Sequence, residues 1–137
     1  MPSFNIFDIA GSGMSAQTVR LNTTASNLAN ADSVSGTSTA AYKARHPVFK
    51  AVQSALNQPK SGNSVKVLGI AQSQEKSPAR YEPGNPLANS EGYVNASNVN
   101  VVEEMADMIS ASRSYQNNVE VMNTSKDLML ATLKLGQ

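Results

Sequence analysis

The stretch that decides the fold runs from Asn100 to Gly136 and reads NVVEEMADMISASRSYQNNVEVMNTSKDLMLATLKLG. Apolar or aromatic residues recur in it at intervals of seven, and a second set follows four positions behind the first. The two sets are Val101, Met108, Tyr115, Met122 and Met129, and Met105, Ser112, Val119, Lys126 and Leu133. This heptad spacing predicts a long helix with one complete apolar seam and a second seam that is interrupted at Ser112 and Lys126.

The residues at both ends of this stretch support the same helix. Asn100, followed three positions later by Glu103, is a helix-start signal, and Glu103, Glu104 and Asp107 place negative charge at the positive end of the helix dipole. Lys134 and Gly136 are typical of a helix end. At about 1.5 Å per residue the helix would be roughly 50 Å long, which predicts an elongated molecule.

A second, weaker helix is predicted near the other end of the chain, within residues 1–30. Its apolar residues also recur every seven positions, as Phe7, Met14, Leu21 and Leu28. Gly11, Gly13 and several short polar or β-branched residues lower its helix propensity. We therefore expect this helix to need a partner, and the simplest partner is the helix of residues 98–137.

The middle of the chain, residues 31–97, has a different character. A Ser- and Thr-rich loop follows Ala31, and the β-branched runs Val48–Val52 and Val65–Ile70 flank the turn cluster Pro59–Asn63. These features predict a small β-hairpin lobe. Tyr81–Pro86 contains two prolines and a glycine, which predicts an extended, turn-containing strap.

The composition indicates a chain with a thin core. Leu, Ile, Val and Phe total 28 of 137 residues, whereas the chain has 18 Ser and 14 Asn, 15% charged residues and a net charge of +1. So little bulky apolar surface barely offsets the entropy of ordering, and the weakly charged surface favours association. We expect a single domain, mainly α with a small β insertion, whose terminal helices pair as a coiled-coil-like layer and bury their remaining apolar surface between subunits.

The residues needed for most catalytic and cofactor chemistry are missing from the sequence. There is no Cys or Trp, His46 is the single histidine, and Lys and Arg are scattered rather than clustered. We therefore expect no catalytic site, no metal, no cofactor, no small-molecule substrate and no nucleic-acid partner. There is no run of 18 apolar residues, so no membrane span is expected. The first residues also lack the pattern of a standard secretory signal.

One motif permits two interpretations. Gly11–Ala16 matches the dinucleotide-binding pattern G-x-G-x-x-A, and Asp32 follows at about the distance where an acidic residue would bind a ribose. That interpretation requires a strand before the glycines and another around Asp32, whose neighbours are Ser and Thr rather than apolar residues. The alternative is that the small residues let another helix approach closely.

Residues at both ends of the chain resemble one family. Ala25–Asn30, followed by Tyr42-Lys43, is similar to the N-terminal signature of bacterial flagellar rod and hook proteins, with Asn27, Asn30, Tyr42 and Lys43 as the motif residues. The segment Asn98–Asn118, continuing to Gly136, is similar to the C-terminal motif of that family. Ala41 stands where longer members have glycine, and the Ser/Thr-rich spacer before it is typical of a short rod member.

The resemblance implies a structural subunit of the proximal rod of the flagellar basal body. Such a subunit would assemble helically around an axial export channel, transmit torque, and contact copies of itself, other rod proteins and the export apparatus. It would lie in the periplasmic rod after type III export without a cleavable signal peptide. The expected subunit-interface and helix-seam residues are Phe7, Met14, Leu21, Leu28, Val101, Met105, Met108, Tyr115, Val119, Met122, Met129 and Leu133. A soluble coiled-coil adaptor or export chaperone is the alternative function.

Overall fold

The computed structural model describes residues 3–53 and 62–135. Along the chain, one helix comes first, five strands follow, and a second helix comes last. The helices are α1 (Ser3–Ala29) and α2 (Val101–Leu135), and the strands are β1 (Val34–Ser35), β2 (Arg45–Gln53), β3 (Asn63–Gln72), β4 (Ala79–Tyr81) and β5 (Tyr93–Ala96). The predicted combination of an N-terminal and a C-terminal helix with small antiparallel sheets between them is confirmed, and about half of the chain is helical. The coiled-coil-like pairing of the helices stays a prediction.

Helix α2 starts where the sequence predicts. The side-chain Oδ1 of Asn100 accepts a 3.2 Å hydrogen bond from the backbone N–H of Val102, and Asn100 therefore caps the helix. The backbone N–H of Glu104 bonds to the carbonyl of Asn100 and closes the first turn. The proposed stop residue Gly136 lies outside the described residues.

Helix α1 spans Ser3–Ala29, within the predicted range of residues 1–30. Its last turn continues as tighter turns, because the N–H groups of Asn30 and Ala31 bond to the carbonyls of Asn27 and Leu28. The Asn30 amide also donates to the carbonyl of Ser26 at 2.8 Å, which satisfies one carbonyl at the helix end.

The strands form two sheets. Strands β2 and β3 pair as the predicted two-stranded sheet, although positions 59–61 of the predicted turn cluster lie outside the described residues. The second sheet, in the order β1-β5-β4, is antiparallel and was not predicted. Its central strand β5 supplies the fully buried Val94, which pairs with Arg80 of β4. The strap is therefore partly a strand, since Tyr81 pairs with Tyr93.

The chain forms two compact units, each built from separate stretches of sequence. The helix–hairpin unit contains residues 1–21, 47–69 and 109–137, and the lobe contains residues 22–46 and 70–108. The prediction of a single domain remains a prediction. Among the described residues, no helix has the length and apolar character needed to cross a membrane.

Small residues form the interior of both units. Within the described ranges, the buried apolar residues are Ala10, Ala16 and Ala111 in the helix–hairpin unit, and Ala41, Ala44, Val94 and Ala96 in the lobe. Alanine buries far less apolar area than leucine or phenylalanine, so each unit gains little from its own interior. The thin core expected from the composition is present.

Candidate assembly surface

A buried asparagine organises the lobe. Asn27, near the end of α1, has no solvent exposure. Its Nδ2 donates to the carbonyl of Arg45 at 2.8 Å and to Oε1 of Glu104 at 2.7 Å. Its Oδ1 accepts from the Tyr42 hydroxyl and from the Arg45 backbone N–H, both at 3.0 Å. We call Asn27, Tyr42, Arg45 and Glu104 the Asn27 cluster.

These four hydrogen bonds use the full capacity of an amide side chain, which has two donor hydrogens and two acceptor lone pairs. They also fix the orientation of the amide. A flipped Asn27 would turn its oxygen toward the carboxylate of Glu104 and the carbonyl of Arg45, and both are acceptors. Asparagine is therefore the residue type that fits this position, since aspartate has no donors and leucine has neither donors nor acceptors.

Glu104 is the unexpected member of the cluster. The sequence places Glu103, Glu104 and Asp107 together as negative charges at the start of α2, and Glu103 is exposed to solvent. Glu104 is only 3% exposed and points toward Asn27 instead. Its Oε2 is buried as well, and no hydrogen-bond partner reaches that oxygen within the described residues. Glu104 is therefore not a solvent-facing charge like its neighbour, because the start of α2 lies against the end of α1 in the lobe.

A second asparagine completes the attachment of residues 42–45. Oδ1 of Asn98 accepts a 2.7 Å hydrogen bond from the Ala44 N–H, and its Nδ2 donates to the Ser73 hydroxyl and the Glu75 carbonyl. The N–H of Ser73 in turn bonds to the Ala44 carbonyl at 2.7 Å. Sequence reasoning missed the role of Asn98, although this residue opens the C-terminal motif.

The structure places the four motif residues in different roles. Asn27 and Tyr42 form a hydrogen bond, and the Arg45 guanidinium lies over the Tyr42 ring, 5.4 Å from the ring centre. Asn30 closes the end of α1 rather than joining this cluster. Lys43 is half-buried beside them. The main role of the motif residues in this structure is thus to hold residues 42–45 against the end of α1 by hydrogen bonds.

In the helix–hairpin unit, α1 and α2 pack against each other in an antiparallel orientation. A Cβ atom placed on Gly13 would lie 2.9 Å from Nδ2 of Asn118, and one placed on Gly11 would lie 4.0 Å from Cε of Met122. Ile6 lines a cavity of about 120 Å³ together with Ser125 and Met129. Positions that rise along α1 therefore meet positions that fall along α2.

The same contacts decide between the two interpretations of the glycine motif. Residues 4–10 are helical, and Gly11–Ala16 lies inside α1 rather than at a strand-to-helix turn. A dinucleotide-binding loop requires that turn, so this structure does not fit the motif. Close helix approach is confirmed at Gly13. In the described part of the chain, there is also no group of three His, Asp or Glu residues arranged to hold a metal ion.

Two rows of α2 residues, each spaced by seven, are turned away from solvent. The first row agrees with the predicted seam, and the second does not. Met108, Met122 and Met129 are half-buried, as are Phe7, Met14, Leu21 and Leu28 of α1. The second inward row comes three residues behind the first rather than four, and it contains Glu104, Ala111, Asn118 and Ser125. Small and polar residues occupy this row where the helices are close. Val119 is half-buried, whereas the predicted seam residues Val101, Met105, Tyr115 and Leu133 are exposed in the single chain.

Many bulky apolar side chains are exposed on the single chain. On α2 they include Val102 at 77%, Leu133 at 68% and Leu128 at 63%. Others on α2 are Val101, Met105, Ile109, Tyr115, Val121 and Leu130. Because large apolar surfaces of this kind mark interaction sites, α2 is the candidate assembly surface.

Comparison with known proteins identifies what these features belong to. Residues 7–36 match the family model described as "Flagella basal body rod protein", and residues 90–135 match "Flagellar basal body rod FlgEFG protein C-terminal". The first match contains Asn27 and Asn30, and the second contains Asn98, Glu104 and all of α2.

Full-length relatives extend the similarity to the whole chain. The chain is 55% identical to the flagellar basal-body rod protein FlgC of Salmonella typhimurium, 52% to that of Yersinia enterocolitica and 42% to that of Buchnera aphidicola, with all of the chain and all of each relative covered. The resemblance seen at the two ends is confirmed, and so is the expectation of a structural, non-enzymatic role. The chain is a structural protein of the bacterial flagellar basal-body rod, and it belongs to the FlgC family.

Proposed function

We propose that the chain builds the proximal rod by helical assembly. Its terminal helices pair as a coiled-coil-like inner layer that lines an axial export channel, and the assembled rod transmits torque. The observation that carries this proposal is the exposed apolar surface of α2, where Val102, Leu128 and Leu133 are each more than 60% exposed. Leaving such side chains in water is unfavourable, and neighbouring subunits would cover them.

The thin interior of the helix–hairpin unit supports the same proposal. Its buried apolar residues among those described are alanines, so a large part of its stabilisation must come from outside the single chain. Repeated contacts around a helical lattice supply it, because an open heterologous interface propagates from copy to copy.

The two rows of α2 would then have separate roles. The inward row, with Met108 and Met122, packs within the chain. The exposed residues Val101, Met105 and Leu133 contact neighbouring subunits, which is why the sequence identifies them as apolar heptad positions although the single chain leaves them exposed. The half-buried Val119 borders both surfaces.

Location and delivery follow from the same assignment. The chain assembles with copies of itself and with other rod proteins in the periplasmic part of the basal body, and the type III export apparatus delivers it without a cleavable signal peptide. An interior of alanines supports this route, because unfolding a unit that buries little apolar area costs little. Such a chain threads a narrow channel more readily than one with a large core.

Amide hydrogen exchange on a verified monomer separates this proposal from a soluble coiled-coil adaptor or export chaperone. We expect residues 3–21 and 109–135 to exchange almost without protection, because the contact between their helices within one chain is made largely by small residues and most of their apolar contacts form only on assembly. Strand β5 in the lobe serves as the internal reference and should be protected. Strong protection of both terminal segments in the monomer would contradict the proposal and favour the adaptor.

A further inference from the structure

The glycine motif of α1 makes a second contact besides the one with α2. Within the helix–hairpin unit, Gly13 faces Asn118 of α2. The hydroxyl of Ser12 beside it accepts a 3.0 Å hydrogen bond from the backbone N–H of Val65, near the start of β3. Successive helix positions point about 100° apart, so one short segment of α1 meets two different elements. The close approach of α2 explains Gly13 but does not explain Ser12.

The Ser12 hydroxyl is engaged on both sides. It donates a 2.8 Å hydrogen bond to the carbonyl of Ile9, one turn earlier in α1, while it accepts from Val65. Serine and threonine hydroxyls in helices often form this bond to the preceding turn. Because the hydroxyl hydrogen is directed at Ile9, a lone pair of the same oxygen is left for the strand. Alanine could form neither bond, whereas threonine could form both.

Ile9 contacts the chain at the same end of β3. Ile9 and Ser12 are three positions apart and therefore share a face of α1. A Cβ atom placed on Gly62, the residue before β3, would overlap Cδ1 of Ile9. Gly62 also has a φ of +127°, a conformation that residues with a side chain rarely adopt. Two separate features thus favour glycine at position 62, and one of them is its contact with α1.

The sheet formed by β2 and β3, which we call the hairpin, depends on such attachments. Two strands alone are marginal in water, and Phe49 and Leu68 remain exposed rather than forming a core. In the lobe, the backbone of Arg45 at the start of β2 is held by Asn27. In the helix–hairpin unit, the start of β3 is held instead by Ser12.

We propose that Ser12 is the positioning residue of the hairpin and couples its placement to the folding of α1. Only a helical α1 brings the Ile9 carbonyl and the Ser12 hydroxyl into the arrangement that receives Val65. This inference rests on the proposed function, in which α1 folds on assembly, and adds that the same step fixes the hairpin. A fixed hairpin presents Phe49 and Leu68 as a preorganised surface, which lowers the entropy cost of a contact with a neighbouring subunit.

A distance measurement between two spin labels tests the placement of the hairpin. The chain contains no cysteine, so Thr18→Cys on α1 and Ala51→Cys on β2, both at exposed positions, give two specific labelling sites. Double electron–electron resonance is recorded on the full-length monomer in trimethylamine N-oxide, which strengthens apolar burial and so favours a helical α1. We expect one narrow distance distribution. Circular dichroism of the same samples follows the helix content.

Substitutions of Ser12 in this labelled chain separate its hydroxyl from its effect on the helix. Ser12→Ala should raise the ratio of detached to docked hairpin about fivefold, because one hydrogen bond is lost. Its helix content should not fall, since alanine is the better helix former. Ser12→Thr keeps the hydroxyl and should keep the narrow distribution. Equal broadening by alanine and threonine, or broadening that accompanies a loss of helix, would overturn the proposal.

Two glycines of the hairpin give a matched pair of variants. A Cβ atom on Gly62 would overlap Ile9, whereas a Cβ atom on Gly69 would meet nothing within 4 Å. Gly62→Ala should therefore broaden the distance distribution, and Gly69→Ala should leave it unchanged. The same response to both substitutions would contradict the contact between α1 and the start of β3.

A comparison without the osmolyte separates this inference from the proposed function. There the proposed function predicts a broad distribution in the unaltered monomer, because α1 is not yet helical. A narrow distribution that Ser12→Ala still broadens would contradict the folding of α1 on assembly and support the Ser12 contact. A narrow distribution in the osmolyte that Ser12→Ala leaves unchanged would overturn the Ser12 contact and show that the attachment at Arg45 is sufficient, while the rod function would stand.

Discussion

Nδ2 of Asn27 donates a 2.7 Å hydrogen bond to Oε1 of Glu104, a residue 77 positions further along the chain. The same amide holds both backbone groups of Arg45. One side chain therefore joins the end of α1, the start of α2 and the start of β2 within the lobe. The motif asparagine of this family acts in this chain as a structural joint.

Replacing this joint should destabilise the lobe. Asn27→Ala removes the buried hydrogen-bond partner of the Arg45 N–H, the Arg45 carbonyl and one oxygen of Glu104. We therefore expect the free energy of unfolding to fall by about 3 kcal/mol. The matched control is Asn22→Ala, at an exposed position of the same helix, which should change stability by less than about 0.5 kcal/mol. Urea unfolding monitored in the lobe measures both. Equal stability of the two variants would show that the cluster contributes nothing.

Glu104 permits a sharper comparison, because its two oxygens differ. Glu104→Gln keeps an acceptor for Asn27 and removes a buried charge, so we expect stability within about 1 kcal/mol of the unaltered chain, or slightly higher. Glu104→Ala removes the acceptor and should cost about 1–3 kcal/mol. Thermal unfolding of the two variants side by side gives the answer. A Gln variant as unstable as the Ala variant would mean that the carboxylate charge itself is required.

The parts of this fold that follow from local sequence were predicted, and the parts that follow from distant contacts were not. Heptad spacing and the cap Asn100 are local signals, so both helices were found. Strand β1 has two residues and exists because Val34 pairs with Ala96, far along the chain. A two-residue stretch carries no sequence signal that would predict this long-range pairing.

The candidate site shows the same division. Family resemblance selected Asn27 and Tyr42, but nothing in the sequence distinguished Glu104 from its exposed neighbour Glu103. Burial of Glu104 results from how the ends of the two helices meet in the lobe. The inward row with Ala111 and Asn118 was not predicted, for a related reason: close helices need small side chains at the contact, and a search for apolar heptads does not select them. Met105 and Leu133 stay predicted subunit-interface positions.

The two glycines of α1 should respond oppositely to alanine. At Gly11 a new methyl group would meet Met122 at an ordinary 4.0 Å, so Gly11→Ala should stabilise α1 by up to about 1 kcal/mol. At Gly13 the methyl group would press on the Asn118 amide at 2.9 Å, so Gly13→Ala should be neutral or destabilising despite the same gain in propensity. Shortening the neighbour with Asn118→Ser should relieve the second variant. Helix content and assembly yield are the measurements, and identical responses at both glycines would contradict the close approach.

A turn in the lobe should lose its ion pair in acid. The Asn85 amide, which donates to Oε2 of Glu82 at 2.9 Å, lowers the pKa of Glu82; desolvation opposes this shift, and the nearby Arg80 guanidinium adds to it. The ionised form stabilises the turn at pH values above the ordinary pKa of glutamate, and this contribution is lost as the pH falls through the lowered pKa. Carboxyl NMR titration should show a midpoint below the ordinary one. Asn85→Ala and Arg80→Gln should each raise that midpoint, and an unchanged midpoint in either variant would contradict the assignment.

The central claim, that the chain is a structural subunit of the rod, is tested most directly by electron cryotomography of basal bodies in cells that lack it. We expect basal bodies without a complete rod, and restoration of the rod when the unaltered chain is supplied. The variants Leu21→Asp and Met108→Asp should fail to restore the rod, since each places a charge in the packed contact between the helices. The control variant Asn117→Asp, at an exposed position of α2, should restore it. Complete rods in cells without the chain would contradict the claim.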